Sequence, residues 1–296
     1  MTTEYLGIQI DYERDKLLPE QGMAYLTKPG FYKNSWEKSP QETFARGATS
    51  YCFGDYEFAQ RIYDYASQKH FTFASPVLSN AIELTWPENL PFDMAGDWLE
   101  EHAQIFGLPI SCFLNHVDDS KEGLVKTMTE TAWLSMMGGG VGTYMGQRSP
   151  DERSTGVMKH SKVYDAIADA YRQTATRRGS IAVYDRIDSP EIASFMDMRT
   201  PMGGDVNSKC FNLNHGICID DKFMEAVILG EQYELVDVKH GPTGRFIDAR
   251  ETWNKMMDTR FTTGEPYMLF IDTVNRNIPE WISNPHYHVT QSNLCT

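Results

Sequence analysis

The sequence predicts an α/β protein, with a mainly helical N-terminal domain over residues 1–70 and alternating strands and helices over residues 71–296. Short apolar runs rich in branched and aromatic residues alternate with segments whose apolar residues recur at helical spacing, the two periodicities of strands and helices. Caps and glycines mark the junctions. Such alternation builds a parallel sheet or barrel, and 296 residues with 41% hydrophobic content can bury the core it needs.

Residues up to about His70 read as helices joined by loops, without repeats or low-complexity stretches. Pro76 then pushes Ser75 out of the helical region into an extended or turn conformation. Asp118-Asp119-Ser120 offers N-caps for a helix carrying Leu124, Met128, Ala132 and Met136 at i+4 spacing, and Gly138-Gly139-Gly140 ends it. After the polar turn Gly146–Gly156 comes a second amphipathic helix with Val163, Ile167 and Tyr171 on one face, and a strand resumes at Ile181–Tyr184. Ser189-Pro190-Glu191 predicts a helix to about Arg199, Lys209–Ile219 a buried strand, and Asp220 the cap of a helix stopping near Gly230. A hairpin around Gly241-Pro242-Thr243-Gly244 leads to a helix with Trp253, Met256, Met257 and Phe261, closed by Gly264. Pro266–Ile271 is one more apolar strand.

A net charge of −14 disfavours a nucleic-acid partner, whose phosphates demand a basic face. Mononucleotide phosphates are different, because helix N-termini and backbone N–H groups can hold them. No run reaches the roughly 18 apolar residues of a membrane span, and Met1-Thr2-Thr3-Glu4-Tyr5 does not open a signal peptide, so no membrane and a cytoplasmic location are expected. Cys52, Cys112, Cys210, Cys218 and Cys295 form no C-x-x-C pair. Neither a disulfide scaffold nor a metal site is expected from them, and Cys210, His215 and Cys218, though close, fall in the run that reads as a buried strand. Cys112, after Pro109-Ile110-Ser111, and Cys295, after Gln291-Ser292-Asn293-Leu294, stand apart, each with a small polar residue within two positions, as a reactive-thiol loop would have.

Gly138–Gly142 does not make a phosphate loop: it lacks Gly-Lys-Ser/Thr, does not match G-x-G-x-x-G, and follows a helix where both motifs need a strand. A turn that lets two backbones pack closely explains it better. Arg177-Arg178-Gly179, taken alone, reads as a solvated helix end, and Asp118 and Asp119 as caps.

Six motifs in order, Ser75-Pro76, Ser111-Cys112, Gly138–Gly142, Thr176-Arg177-Arg178-Gly179-Ser180, Thr263-Gly264-Glu265-Pro266-Tyr267 and Gln291-Ser292-Asn293-Leu294-Cys295, resemble the catalytic large subunit of ribonucleotide reductase, most like its aerobic class I form. The resemblance runs from about Tyr5 to Cys295. It implies a ten-stranded α/β barrel built from two half-barrels around a reactive-cysteine loop, of which this chain holds the helical N-terminal domain and, over 71–296, the first half-barrel with effector-binding helices and a C-terminal active-site loop.

The resemblance also implies roles. Cys295 matches the cysteine whose thiyl radical abstracts the ribose 3′-hydrogen; Cys112 matches one member of the reducing dithiol, and Asn293 the amide that holds the ribose hydroxyls. Ser75 and Ser111 match positions lining the diphosphate and ribose pocket. Asp119, Arg148, Arg153 and Arg177 fall in the region that binds a dNTP effector, Asp119 receiving its deoxyribose and Arg177 sensing the substrate base. The spacing of Arg148 and Arg153 departs from the family pattern. The chemistry suits these roles, since a thiyl radical needs a dry pocket and a neutral thiol supplies both proton and electron when the 2′-hydroxyl leaves as water.

The family pattern continues past the radical cysteine to a glutamate base, whereas Thr296 is the last residue here. The expectation is therefore a component inert by itself: a complementary C-terminal large-subunit chain would complete the barrel, and the radical cofactor would reside in a separate small subunit, with no cofactor or metal in this chain. Thioredoxin or glutaredoxin as reductant, ribonucleoside diphosphate substrates, dNTP effectors and a dimer of the completed large subunit complete the expected partners. A non-catalytic dNTP-binding regulatory module derived from that subunit is the alternative, and the cobalamin-dependent class of the same enzyme shares both cysteines.

Overall fold

The computed structural model describes residues 2–28, 31–87, 91–102, 109–171, 179–282 and 287–294. The chain forms two compact units, Met1–Ser111 and Cys112–Thr296. The division falls beyond residue 70, where the sequence suggested it, because Leu78, Trp86 and Ala95 join the core of the N-terminal unit.

That unit opens on an antiparallel hairpin, β1 (Thr2–Tyr5) and β2 (Ile8–Asp11), where helices were expected. Leu6 and Gly7 take φ of 51° and 82° at its two-residue turn, the conformation that matches strand twist. Ile8 and Ile10 are buried and Gln9 is exposed, an alternation too short to be legible in sequence. Helices α1 (Glu20–Leu26), α2 (Pro40–Thr49), α3 (Tyr56–Ser67), α4 (Ser75–Asn80) and α5 (Ala95–His102) follow. Every residue of α2 is buried, so its polar side chains find partners inside. Gln41 joins Asp15 and Tyr63, while Arg46, 1% exposed, donates to Glu37 and to the carbonyls of Tyr32, Leu78 and Ala81. Contrary to the sequence expectation, Ser75 begins α4: Pro76 sits in the first turn, where a missing N–H leaves nothing unpaired, and the extended residue is Ala74, with ψ 143°.

The C-terminal unit is a five-stranded parallel sheet in the order β3 (Cys112–Val117), β4 (Gly140–Met145), β5 (Ser180–Arg186), β6 (Asn214–Ile219) and β9 (Tyr267–Phe270). Helices α6 (Lys121–Met136), α7 (Gly156–Ala170) and α8 (Ile192–Met196) connect successive strands. The return to β9 is longer, through α9 (Asp221–Leu229), the hairpin β7 (Gln232–Asp237) and β8 (Gly241–Asp248), and α10 (Ala249–Thr263). A short helix α11 (Ile271–Arg276) ends the regular structure. Ser120, Asp220 and Asp248 cap α6, α9 and α10 by accepting from Gly123, Phe223 and Glu251 N–H. Gly230 and Gly264 end α9 and α10 in the left-handed conformation.

One face of the sheet packs on helices around Val117, Met145, Ile181, Val183, Ile217 and Phe223. The other carries Tyr144, Ala182, Tyr184 and Cys218, against which Leu294 packs. With both faces covered, β4, β5 and β6 are nearly continuously buried. The outer strands β3 and β9 leave Leu114 and Phe270 exposed.

Several local expectations are corrected. On α7 the buried stripe runs through Val157, Ser161, Tyr164 and Ala168; Ile167 is buried too, but Val163 and Tyr171 are exposed, because positions spaced strictly by four drift around the helix. The helix after Ser189-Pro190 covers only Ile192–Met196, after which the chain continues in turns, Met198 N–H bonding Phe195 O and Thr200 N–H bonding Asp197 O. The strand foreseen over Lys209–Ile219 begins at Asn214, and the hairpin turns at residues 238–240, leaving Gly241–Gly244 inside β8. Among the described residues no helix is long and apolar enough to cross a membrane.

Arg46 and Glu37 form a fully buried ion pair. Arg46→Ala should lower the urea-unfolding free energy by about 3–5 kcal/mol, because the buried Glu37 carboxyl would lose its cationic partner; a loss under about 1 kcal/mol would show that the pair is solvated.

Candidate active site

The segment 287–294 crosses the inner face of the sheet, and its contacts define the site. Thr290 O accepts from the Cys218 thiol at 3.2 Å, Gln291 Nε2 donates to Asn115 O at 2.8 Å, and Asn293 O accepts from the Tyr184 hydroxyl at 2.7 Å. At Gly142 the approach is closest: a Cβ there would lie 2.0 Å from the carbonyl oxygen of Ser292. The glycine-rich run therefore provides close backbone packing, with Gly138 (φ 81°) turning the chain out of α6.

Cys112 is the exposed first residue of β3, and its register partner on β4 is Gly140. Asn293 Nδ2 donates to Phe113 O at 2.8 Å and to Gly140 O at 3.1 Å, so its side chain spans the two strands beside Cys112. Its Oδ1 accepts from Leu294 N at 2.7 Å. Cys295, the other singled-out thiol, lies outside the described residues. Ser111 immediately precedes Cys112. Ser75 belongs to the N-terminal unit, where its hydroxyl shares a 2.9 Å hydrogen bond with Tyr32. Cys52, Cys210 and Cys218 are buried free thiols, and burial pushes the last two well above the ordinary thiol range. His215 bonds Glu265 at 2.9 Å, and no metal-binding group of three side chains exists among the described residues.

A second cluster forms beyond the opposite ends of β3 and β4. Arg148 Nη1 donates to Asp119 Oδ2 at 2.6 Å, its N–H to Asp119 Oδ1 at 3.3 Å, and its Nε to Asp151 Oδ2 at 2.7 Å. The capping role expected of Asp119 belongs to Ser120, which frees Asp119 for this contact. Arg153 takes part through its backbone N–H, which donates to Asp151 at 2.6 Å and, first among several causes, holds that carboxyl well below the usual carboxylate range. Arg177 lies outside the described residues. The loop is tied down by Asp237, which accepts from Ser149 N at 2.8 Å, and α7 begins on Glu191, which accepts from Val157 N at 2.6 Å. Tyr184, Asp151, Glu191 and Asp237 were not singled out from the sequence. Most of their contacts join residues far apart along the chain, and only Asp151, within a polar turn, carries a local signal.

Comparison with known proteins follows the same division. The ribonucleotide reductase all-alpha domain matches residues 22–83, and the ribonucleotide reductase barrel domain matches residues 110–296. The ribonucleoside-diphosphate reductase large subunit of Invertebrate iridescent virus 6 is 38% identical over 97% of this chain, and the putative large subunit of Frog virus 3 is 41% identical over 84% of it. This chain spans 28% and 40% of their lengths. The class Id ribonucleotide reductase alpha subunit of Actinobacillus ureae shares the fold, with a TM-score of 0.71 and 24% identity over 97% of this chain and 46% of that one.

Near the Arg148 loop, at the end of β5, Asp185 is buried, with Oδ1 accepting from Arg186 N and Oδ2 without a hydrogen-bond partner among the described residues. Burial pushes its carboxyl up to about 7. Since the unfolded value is about 3.9, folding takes up a proton between these limits. The contribution is complete below pH about 4 and is lost as pH rises through about 7. Asp185→Asn should flatten the fall in unfolding temperature between about pH 4 and pH 7, leaving the part due to Asp188 and Glu191, which burial also raises. An unchanged profile would mean that Asp185 stays ionised.

Proposed function

The chain belongs to the ribonucleotide reductase large-subunit family, and from that premise we propose that it supplies the N-terminal part of a ribonucleoside-diphosphate reductase, converting ribonucleotides to 2′-deoxyribonucleotides by thiyl-radical chemistry. The observation that carries this reading is Asn293, whose amide bridges the carbonyls of Phe113 and Gly140 beside Cys112 and so holds the segment leading to Cys295 at the same edge of the sheet. Both amide hydrogens are used there, and Oδ1 accepts from Leu294. One lone pair of Oδ1 remains for a ribose hydroxyl.

In this reading a thiyl radical on Cys295 takes the ribose 3′-hydrogen atom. Cys112 gives a proton as the 2′-hydroxyl leaves as water, and with a second cysteine supplies the two electrons, becoming a disulfide. Ser75 and Ser111 are the further residues that the family resemblance assigns to the substrate. The second cysteine and the glutamate base come from a complementary half-barrel, for which the exposed outer strands β3 and β9 offer edges. A small subunit generates the radical, and thioredoxin or glutaredoxin returns the disulfide to thiols.

Asp119, Arg148, Arg153 and Arg177 form the effector region. Asp119 already engages Arg148, so a dNTP sugar hydroxyl must share or displace that contact. The flanking helices expose Val125 and Trp133 on α6 and Val163 on α7, an apolar surface suited to pairing with the same helices of a second subunit.

Reconstitution with a polypeptide covering the rest of the relatives' length and with a small subunit should give turnover that this chain and the small subunit do not give without it. Cys295→Ser should abolish both product and substrate radical in that complex. Cys112→Ser should still form a substrate radical by electron paramagnetic resonance and then release base. Identical silence of the two variants towards radical formation would contradict the assignment.

Effector binding and association should be linked, because a ligand that prefers the dimer shifts the equilibrium towards it. Sedimentation should show dTTP or dATP promoting the dimer, Trp133→Glu opposing it, and Asp119→Ala weakening dNTP binding about tenfold through loss of a charge-assisted hydrogen bond. Association indifferent to every dNTP would remove the effector assignment.

A further inference from the structure

We propose that Tyr184 is a positioning residue that sets the backbone orientation of Asn293, and through it the path of the chain into the proposed radical cysteine. Its consequence for turnover rests on the reductase reading; its structural part does not.

Tyr184 is fully buried on the inner face of β5, and its hydroxyl donates to Asn293 O at 2.7 Å. The ring reaches that carbonyl by leaning over the neighbouring strand. Its register partner on β6 is Gly216, and a Cβ at Gly216 would lie 2.3 Å from Tyr184 Cε1, so the glycine leaves the space that the ring fills. Asn293 is thereby held twice, its side chain by Phe113 O and Gly140 O and its main chain by Tyr184. The N–H of the peptide after Asn293 is bonded to the Asn293 side chain, and the tyrosine hydroxyl is what ties the carbonyl of that same peptide to the sheet. Ser292, one residue earlier, is already pinned over Gly142, so the added bond holds two successive main-chain carbonyls in place ahead of Leu294. Hydrogen-atom abstraction is sensitive to such direction, because displacements near 1 Å from the attack geometry can cost about a hundredfold in rate.

Tyr184→Phe keeps the ring and removes only the donor, so a residue needed merely for packing would tolerate it. Hydrogen exchange followed by mass spectrometry on the 296-residue chain should show the 287–294 segment exchanging about fivefold faster in Tyr184→Phe, with strands β4 to β6 unchanged. Tyr144→Phe, a buried neighbour on β4, should behave as wild type. Gly216→Ala, which displaces the ring, should reproduce the faster exchange if it folds. In the reconstituted reductase, Tyr184→Phe should lower kcat about tenfold with KM within twofold. Exchange unchanged in Tyr184→Phe overturns the proposal whatever the enzyme does. Faster exchange with an unchanged kcat overturns the positioning role. A wild-type complex that reduces no ribonucleotide defeats the reductase reading, while the exchange result still decides whether Tyr184 seats the segment.

Discussion

The missing side chain at Gly142 is the constraint on which the candidate site depends. A methyl group there would meet the Ser292 carbonyl at 2.0 Å, a separation that van der Waals repulsion forbids, so any residue but glycine would lift the segment from the sheet. Only with the segment down can Gln291 reach Asn115 O and Asn293 reach Phe113 O and Gly140 O. These bonds satisfy groups that would otherwise be buried unpaired. The segment thus takes on the inner face the covering role that helices take on the outer face, and β4 to β6 are buried on both sides as a result.

The two units meet the demands of burial differently. In the N-terminal unit a helix with polar residues, α2, lies at the centre, and its stability rests on complete pairing: Arg46 satisfies Glu37 and three carbonyls at once. In the C-terminal unit the main core is largely apolar, and two buried polar side chains lie where strands end. Asp185 and Gln147 are buried there with side-chain atoms lacking partners among the described residues. Desolvation of an unpaired carboxylate is costly, so Asp185 favours its protonated form, as its raised value of about 7 reflects. The strand ends therefore sacrifice stability near neutral pH in the region proposed for effector binding, as sites that must respond to ligands commonly do.

The strand–helix alternation was legible because it is local: caps at Ser120 and Asp220 and the terminating Gly230 and Gly264 each act within one helical turn. The short hairpin of β1 and β2 was not, since four residues per strand hide a period of two. Pro76 misled in the other direction, because proline breaks helix interiors but suits first turns, and sequence does not say which turn it occupies. Of the candidate site, Cys112 and Asn293 were marked by motif, and the structure brings Asn293 onto the strands beside Cys112. The Asp119–Arg148 pair joins two residues named separately. Tyr184 left no trace, since its partner is a backbone carbonyl 109 positions away, and a backbone acceptor imprints nothing on the residue that carries it.

The two clusters occupy opposite ends of the same pair of strands. Cys112 and Gly140 begin β3 and β4, where the Phe113 and Gly140 carbonyls hold Asn293; Asp119 and Arg148 lie just beyond where those strands end. Six residues of parallel strand span about 20 Å, too far for direct electrostatic influence through a screened medium. A strand pair is nevertheless stiff along its length, because each residue is tied to its neighbour in register from Cys112↔Gly140 to Val117↔Met145. A shift of Arg148 relative to Asp119 must either be absorbed in the turn at Gly146 or slide β4 against β3. Gly146 makes absorption difficult: space for a side chain there is taken by Val117 O and His116 Nε2, each 2.5 Å from its would-be Cβ, so the turn is packed as closely as the strands. The Asp119–Arg148 contact and the Asn293 seat are thus joined by one unbroken stretch of β3–β4 register, close-packed at both ends.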